Sequence, residues 1–443
     1  MKKVFFSVAA VAALAGTAYF AYSMRTLQAE TSDTPTTAMV TYHETNCPSG
    51  TSDAGYTLKG RPVCEISNII TNDLTLSADR YWRVRGEVQI GGDNMLNTEL
   101  HIEAGTILFG KSGGDFLVIN RGSRILAEGT ASKPIVFTSE NDIKQTQPVS
   151  GDWGGLVIAG NAPINTGNTD EPFEFSHRQI RFGGTDPHDD SGVLKYLIIK
   201  YAGDEVLPQK ELNGLSLGGV GDKTVIDYLE VYKGKDDGIE LWGGTVNMKH
   251  ILLLGNRDDS FDTDLGYRGK VQYLYAEKFR LEAGQYGNGI EADNLKENMD
   301  ASPVSHPVLA NFEFVGSSGS SYGILLRRGT GYTLINGIVT GFDEAQLAIH
   351  DDTTLHNNEI VFRSVALDGK ETDEDLYHGK SGVHKADIKA RFENSPHCRV
   401  GTTVTTASDV AKATGDTFFD KAPFLGAYDK ADDWRFGWSY GLE

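Results

Sequence analysis

A chain of 443 residues with 39% hydrophobic side chains, 51 glycines and 13 prolines has the material for a large core and many tight turns, which excludes disordered and collagen-like polymers. Its 61 acidic against 41 basic residues give a formal net charge of −20, which repels nucleic acid and anionic membrane surfaces and leaves cations, neutral glycans and basic proteins as partners. The same acidity also serves the plain solubility of an exported protein.

The chain opens on Lys2-Lys3, an apolar run from Val4 to about Ser23, then Met24-Arg25 and a Ser/Thr/Pro-rich stretch to Thr37. This is the pattern of an export signal, with Ala21-Tyr22-Ser23 as a small-x-small cleavage site. Residues 1–23 read as a signal peptide or N-terminal anchor and 24–39 as a linker; the apolar run also has the length of an uncleaved inner-membrane anchor. Leu14-Ala15-Gly16 begins a lipoprotein signal, but Thr17 stands where the lipidated cysteine belongs, so no stable lipid anchor is expected. The location expected is periplasm, outer surface or extracellular.

Cys47 and Cys64 flank a loop carrying Pro48, Gly50, Gly55 and Gly60, and a disulfide in an oxidising compartment is the natural reading. It staples residues 40–66 as an N-terminal cap. Cys398 has no partner in a C-x-x-C arrangement.

From about Ser67 onward, short aliphatic runs alternate with glycine, asparagine and aspartate turns, an all-β signature. Gly214-Leu215-Ser216-Leu217, Gly238-Ile239-Glu240-Leu241 and Ser260-Phe261-Asp262-Thr263 start 24 and then 22 residues apart. Each is followed by a second strand: Tyr228-Leu229-Glu230-Val231, His250-Ile251-Leu252-Leu253 and Tyr273-Leu274-Tyr275-Ala276. A period of about 22–25 residues with two or three short strands fits one coil of a right-handed parallel β-helix, a solenoid, over residues 67–370. Residues 166–190 and 294–306 are expected as loops projecting from one side. Solenoid ends expose strand edges, so residues 371–443, with a short helix over Ser408–Ala413 and an aromatic-rich Thr417–Tyr440, read as a C-terminal cap.

Two stretches carry a resemblance. Asp236-Asp237-Gly238-Ile239-Glu240-Leu241-Trp242-Gly243-Gly244, continuing through Asp258-Asp259-Ser260-Phe261-Asp262 to Gly266-Tyr267-Arg268-Gly269, is similar to the signature of a large group of uncharacterised exported right-handed parallel β-helix proteins of Gram-negative bacteria. Phe424-Leu425-Gly426-Ala427-Tyr428 with Asp433-Trp434 and Gly437-Trp438, together with Gly151-Asp152-Trp153-Gly154-Gly155-Leu156, resembles the same group. The resemblance implies a β-helix of the pectate-lyase-like superfamily and a cell-envelope or extracellular location. It implies no settled activity, and the fold is shared with enzymes whose sites need not be present.

In register, the repeats put Asp236 over Asp258, Asp237 over Asp259 and Glu240 over Asp262, with Glu291 farther along the column. Carboxylates one strand spacing apart, about 4.8 Å, repel by roughly 3 to 4 kcal/mol at an effective dielectric near 20. The column must bind a cation, hold protons at a raised pKa, or splay into water. Oxygen-only donors suit calcium, and Asp264 completes the set; acidic turns that accept backbone hydrogen bonds are the plainer alternative.

Tyr196, Tyr228, His250 and Tyr273 form an outward column, which suits either a platform for sugar rings or an aromatic ladder that covers the sheet. Arg327, Arg328, Lys249 and Lys278 are the cationic candidates for a lyase, and His350, Asp351, Asp352 and His356 share a turn region of low specificity. The first reading is a non-catalytic, calcium-stabilised protein that binds a glycan or a cell-surface protein. The alternatives are a polysaccharide lyase or glycoside hydrolase of the pectate-lyase-like superfamily, and a structural adhesin or filament component.

Overall fold

Short runs such as Ile239–Trp242 and Phe261–Asp264 alternate buried aliphatic or aromatic residues with outward polar ones, the period-2 pattern of a strand with one dry face. Glycine and asparagine turns between them return the chain to the same edge one layer higher, so like strands pair in parallel. The computed structural model describes residues 47–175, 180–208, 210–280, 286–401 and 406–442. The export signal, the anchor, the linker and the first residues of the N-terminal cap, expected within 1–46, lie outside the described residues.

The result is a right-handed parallel β-helix, its strands joined in one 25-stranded sheet that winds around the core. Through the middle and later coils each turn consists of one long strand and one short strand. The long strands are Gly192–Lys200, Val225–Tyr232, Asn247–Leu254, Lys270–Glu277, Val308–Val315, Tyr332–Thr340 and Ile360–Asp368. The short strands are Leu215–Gly218, Ile239–Trp242, Phe261–Asp264, Ile290–Ala292, Tyr322–Leu326, Ala345–Ile349 and Tyr377–Gly379. Inward side chains form one continuous column, in which Ile239, Phe261, Ile290, Ile324 and Leu347 follow one another in register.

Each long strand bends at one residue in the left-handed region. Tyr196, Tyr228, His250, Tyr273, Asn311, Asn336 and Ser364 have φ between 48° and 65°. A non-glycine residue there costs about 1–2 kcal/mol, which the stack of side chains along the corner must offset.

The disulfide between Cys47 and Cys64 is present, and strand Ser52–Leu58 runs antiparallel to Arg61–Ile70, covering the edge of the first coil. Residues 371–443 divide in two. Helix Lys385–Glu393 pushes Ile388 and Phe392 into the core at the far end. The segment 406–442 instead turns back along the bent corner. The short helix is Val410–Thr414, capped by the Asp409 side chain; Ser408 is engaged elsewhere, its Oγ with Ser364 Oγ at 2.9 Å and its N–H donating to Asn336 Oδ1 at 2.8 Å.

That segment is zipped to the corner residues. Asn336 and Asn311 donate to the carbonyls of Ser408 and Phe424, both at 2.9 Å, and Gln272 exchanges hydrogen bonds with the backbone of Asp420. Trp434 and Trp438 cover the outer side of the long strands around Leu252 and Ile198. Farther on, the buried Glu230 carboxylate accepts the N–H groups of Tyr440 and Gly441 at 2.6 and 2.8 Å.

The described residues of the 166–190 insertion do not project. Its hairpin, Glu171–Pro172 with Arg181–Phe182, lies flat on the short-strand sheet. Phe173, Phe175 and Phe182 are buried around Trp242; Asp170 ties the loop to Arg121 of the body and, within the loop, pairs with Arg181. Three phenylalanines in one loop are too apolar to leave in water, and the outward Val157 and Trp242 give them a surface.

Candidate cation-binding face

Beside the docked loop, the outward positions of the short strands turn from apolar to acidic. Glu240 pairs in register with Asp262, and Asp262 with Glu291; one position on, Trp242 pairs with Asp264. The preceding turns place Asp236 and Asp237 against Asp258 and Asp259. Here the coils approach closely: a Cβ on Gly238 would stand 2.6 Å from both Ser260 O and Asn256 Nδ2, so the residue after the two aspartates must be glycine.

The carboxylates interlock. Oxygens of Asp236, Asp237 and Asp258 lie within 4.8 Å of one another, as do those of Asp237, Glu240 and Asp262, and those of Asp259, Asp262 and Glu291. Of the eight carboxylates named from the sequence, seven enter these groups, Glu291 among them. Asp264 stands beside them, its Oδ1 accepting the N–H of Leu265 at 2.6 Å.

Some oxygens are already used. Asp237 Oδ1 accepts the N–H of Asp259 at 2.7 Å, Asp259 accepts the N–H of Asn288, and Glu240 accepts from Asn213 Nδ2 at 2.7 Å. Others are free: among the described residues, Asp262 Oδ1 and Ser260 Oγ are buried with no hydrogen-bond partner.

The facing cations are Lys278, Arg327 and Arg328. Buried Lys278 lies under the turn and donates to the carbonyls of Asn256 and Asp258; burial lowers its pKa to about 8. Arg327 is held by Glu291 and Asp293, and Arg328 by Asp293. Lys249 points elsewhere, to Asp420 at 2.8 Å. Among the described residues, Lys278, Arg327 and Arg328 pair with Glu291 and Asp293 or with backbone carbonyls, and not with Asp237, Glu240 or Asp262. Burial, reinforced by neighbouring carboxylates, raises Asp236 and Glu291 to about 8, Asp264 to about 7 and Asp259 to about 6. Asp237, Glu240 and Asp262 are raised well above the usual range for the same reason.

Asp293 was not singled out from the sequence. Glu291-Ala292-Asp293 repeats the spacing of Asp262-Thr263-Asp264, and that was the available signal. Asn213 and Asn288, which orient Glu240 and Asp259, lie in turns that carry no such mark.

The second set of candidates is also brought together. Tyr196, Tyr228, His250 and Tyr273 stack ring on ring with centroids 4.4, 4.2 and 4.9 Å apart. Their faces are turned to one another, and Trp434 and Trp438 stand edge-on against them. A groove of ≈ 430 Å³ remains along the ladder, lined also by Asp429, Asp432 and Phe436.

A pectate-lyase-like β-helix domain model matches residues 68–439, nearly the whole of the wound body and the returning segment. The chain belongs to this family. No curated protein and no solved structure matches it. Membership accounts for the winding, the stacked turns and the dry core. It assigns no role to the carboxylates.

Proposed function

We propose that this member of the pectate-lyase-like β-helix family is an exported, non-catalytic binding protein whose acidic face holds calcium and, through it, engages a glycan or another surface component. The observation that carries this is the three interlocked carboxylate groups, which include a buried Asp262 oxygen with no hydrogen-bond partner. The donors are all oxygens, and several carboxylates around one point suit a calcium ion, which accepts six to eight oxygen ligands at about 2.3–2.6 Å. The apolar opening segment and the Cys47–Cys64 disulfide support export, since disulfides persist in oxidising compartments.

The test is thermal unfolding of the purified protein with calcium and then with excess chelator. A ligand bound only to the native state raises its stability, by about 2.7 kcal/mol at a hundredfold excess over Kd. The reading requires a calcium-dependent rise that disappears in Asp262→Asn, and a calcium-dependent retention on immobilised polysaccharide; an unchanged transition overturns it.

A second reading, a polysaccharide lyase or glycoside hydrolase, is favoured by the Asp237–Glu240–Asp262 group. Paired carboxylates, one held protonated by its surroundings, are the acid–base equipment of glycoside cleavage. Release of reducing ends or unsaturated products from polysaccharide by the wild type, lost in Glu240→Gln, would establish it. Against it, Lys278, Arg327 and Arg328 are all engaged by carbonyls or carboxylates.

A further inference from the structure

The returning segment 406–442 meets the body of the β-helix through a repeated combination, a basic side chain held between an aromatic ring and an aspartate. Lys249 pairs with Asp420 at 2.8 Å, its ammonium 5.0 Å from the centre of the Phe418 ring. Lys270 pairs with Asp416 at 2.6 Å beside the same ring, at 5.8 Å. Arg435 pairs with Asp433 at 2.7 Å, and its guanidinium carbon lies 3.3 Å from the centre of the Tyr428 ring. Lys200 pairs with Asp142 at 2.6 Å and lies 3.7 Å from the centre of the Tyr440 ring.

Along the tyrosine ladder the same materials recur without the cation. Trp434, Phe436, Asp429 and Asp432 line the groove beside the ladder, and among the described residues no lysine or arginine lines it. Phe436 is 55% exposed, and Asp429 and Asp432 are exposed with no ion pair among the described residues. The other charges are already matched, Asp420 by Lys249 and His250 by Asp227 at 2.7 Å. Two unmatched carboxylates beside an open ring, in a chain of net charge −20, attract a cation. The apolar stem of a lysine or arginine suits the ring while its head reaches the acids. A sugar ring finds less to lie on, because Tyr228, His250 and Tyr273 have both faces covered by neighbouring rings.

We propose that this groove is the docking site for a basic segment of a partner protein, whose lysine or arginine completes against Asp429, Asp432 and Phe436 the combination that the chain fills for itself elsewhere along the returning segment. Arginine fits best, since its planar head stacks on a ring while its N–H groups reach a carboxylate, as Arg435 does between Tyr428 and Asp433. A groove of ≈ 430 Å³ is at the small end of ligand sites, which run to about 1,000 Å³, so it takes side chains of an extended segment rather than a folded surface. The ladder belongs to the long strands and the acidic face to the short strands and their turns, so the two sites are separate and either can fail alone.

The experiment follows the fluorescence anisotropy of a labelled arginine-bearing octapeptide as the full chain is added, against a counterpart in which citrulline replaces each arginine. Wild type should bind the arginine peptide about tenfold or more tighter than the citrulline one, in calcium and in chelator alike. The double variant Asp429→Asn/Asp432→Asn and the single variant Phe436→Ala should each weaken binding about tenfold while unfolding at the wild-type temperature. Glu371→Gln/Glu374→Gln, which removes two exposed acids outside the groove, should leave binding unchanged. Absence of binding, an equal loss in that control, binding that calcium abolishes, or a glucosamine oligomer that binds tighter than the peptide overturns the proposal.

Discussion

The carboxylate of Asp237 accepts the backbone N–H of Asp259 at 2.7 Å, so an acidic side chain of one coil fastens the acidic turn of the next. The same group faces Asp236, Glu240 and Asp262, which repel its charge. Asp237→Asn keeps the acceptor and removes the charge, whereas Asp237→Ala removes both. In chelator at pH 8, Asp237→Asn should be more stable than wild type by about 1–3 kcal/mol, and Asp237→Ala should not be. In calcium the order of wild type and Asp237→Asn should reverse. Chemical denaturation of the three proteins in the two buffers checks this.

The pH dependence follows from the raised carboxyls. Asp236 and Glu291 at about 8, Asp264 at about 7 and Asp259 at about 6 keep protons in the folded chain that an unfolded carboxyl releases near pH 4. Between those limits the native state binds more protons, so calcium-free stability falls as pH rises from about 4 to 8. Calcium competes with the same protons, so its stabilising increment should grow over that interval. Thermal unfolding at pH 5 and pH 8, with and without calcium, measures both slopes.

How much of this was legible beforehand depended on periodicity. Glu240, Asp262 and Glu291 could be stacked from a repeat of constant hydrophobic phase, and Tyr228, His250 and Tyr273 likewise, because one inward residue in two fixes the register of its neighbours. The docking of residues 166–190 was not legible: it depends on Trp242 and Val157 being outward at the one place where three phenylalanines arrive. Nor was the path of residues 406–442, whose partners Asn336, Asn311 and Gln272 lie far away in sequence.

Phe173 anchors the loop over Trp242, with ring centroids 5.3 Å apart. Phe173→Ala should cost about 3–5 kcal/mol of loop docking and expose residues 166–190 to limited proteolysis before the body of the β-helix is cut. Cleavage at the wild-type rate would show that the ion pair of Asp170 with Arg121 holds the loop without Phe173.

Glu230 is fully buried and satisfies two backbone N–H groups of the returning segment. Hydrogen bonds of this kind contribute about 0.5–1.5 kcal/mol each. Glu230→Ala should therefore free Tyr440 and Gly441 and accelerate hydrogen exchange along Val225–Tyr232, leaving the coils beyond Asn336 protected. Uniform exchange across both regions would contradict it.

A solenoid in which every coil touches only its neighbours tends to fray from its ends one turn at a time. Here a single segment that follows every coil in the chain grips Ser364 and Asn336 at one end and Glu230 at the other. Loss of the outermost turn then loosens a hold on turns well inside the stack, and the ladder behaves as one unit with a buckle. Such a chain can wind coil by coil as it is made, but it is fastened only once Trp434 and Trp438 reach the tyrosines laid down long before them.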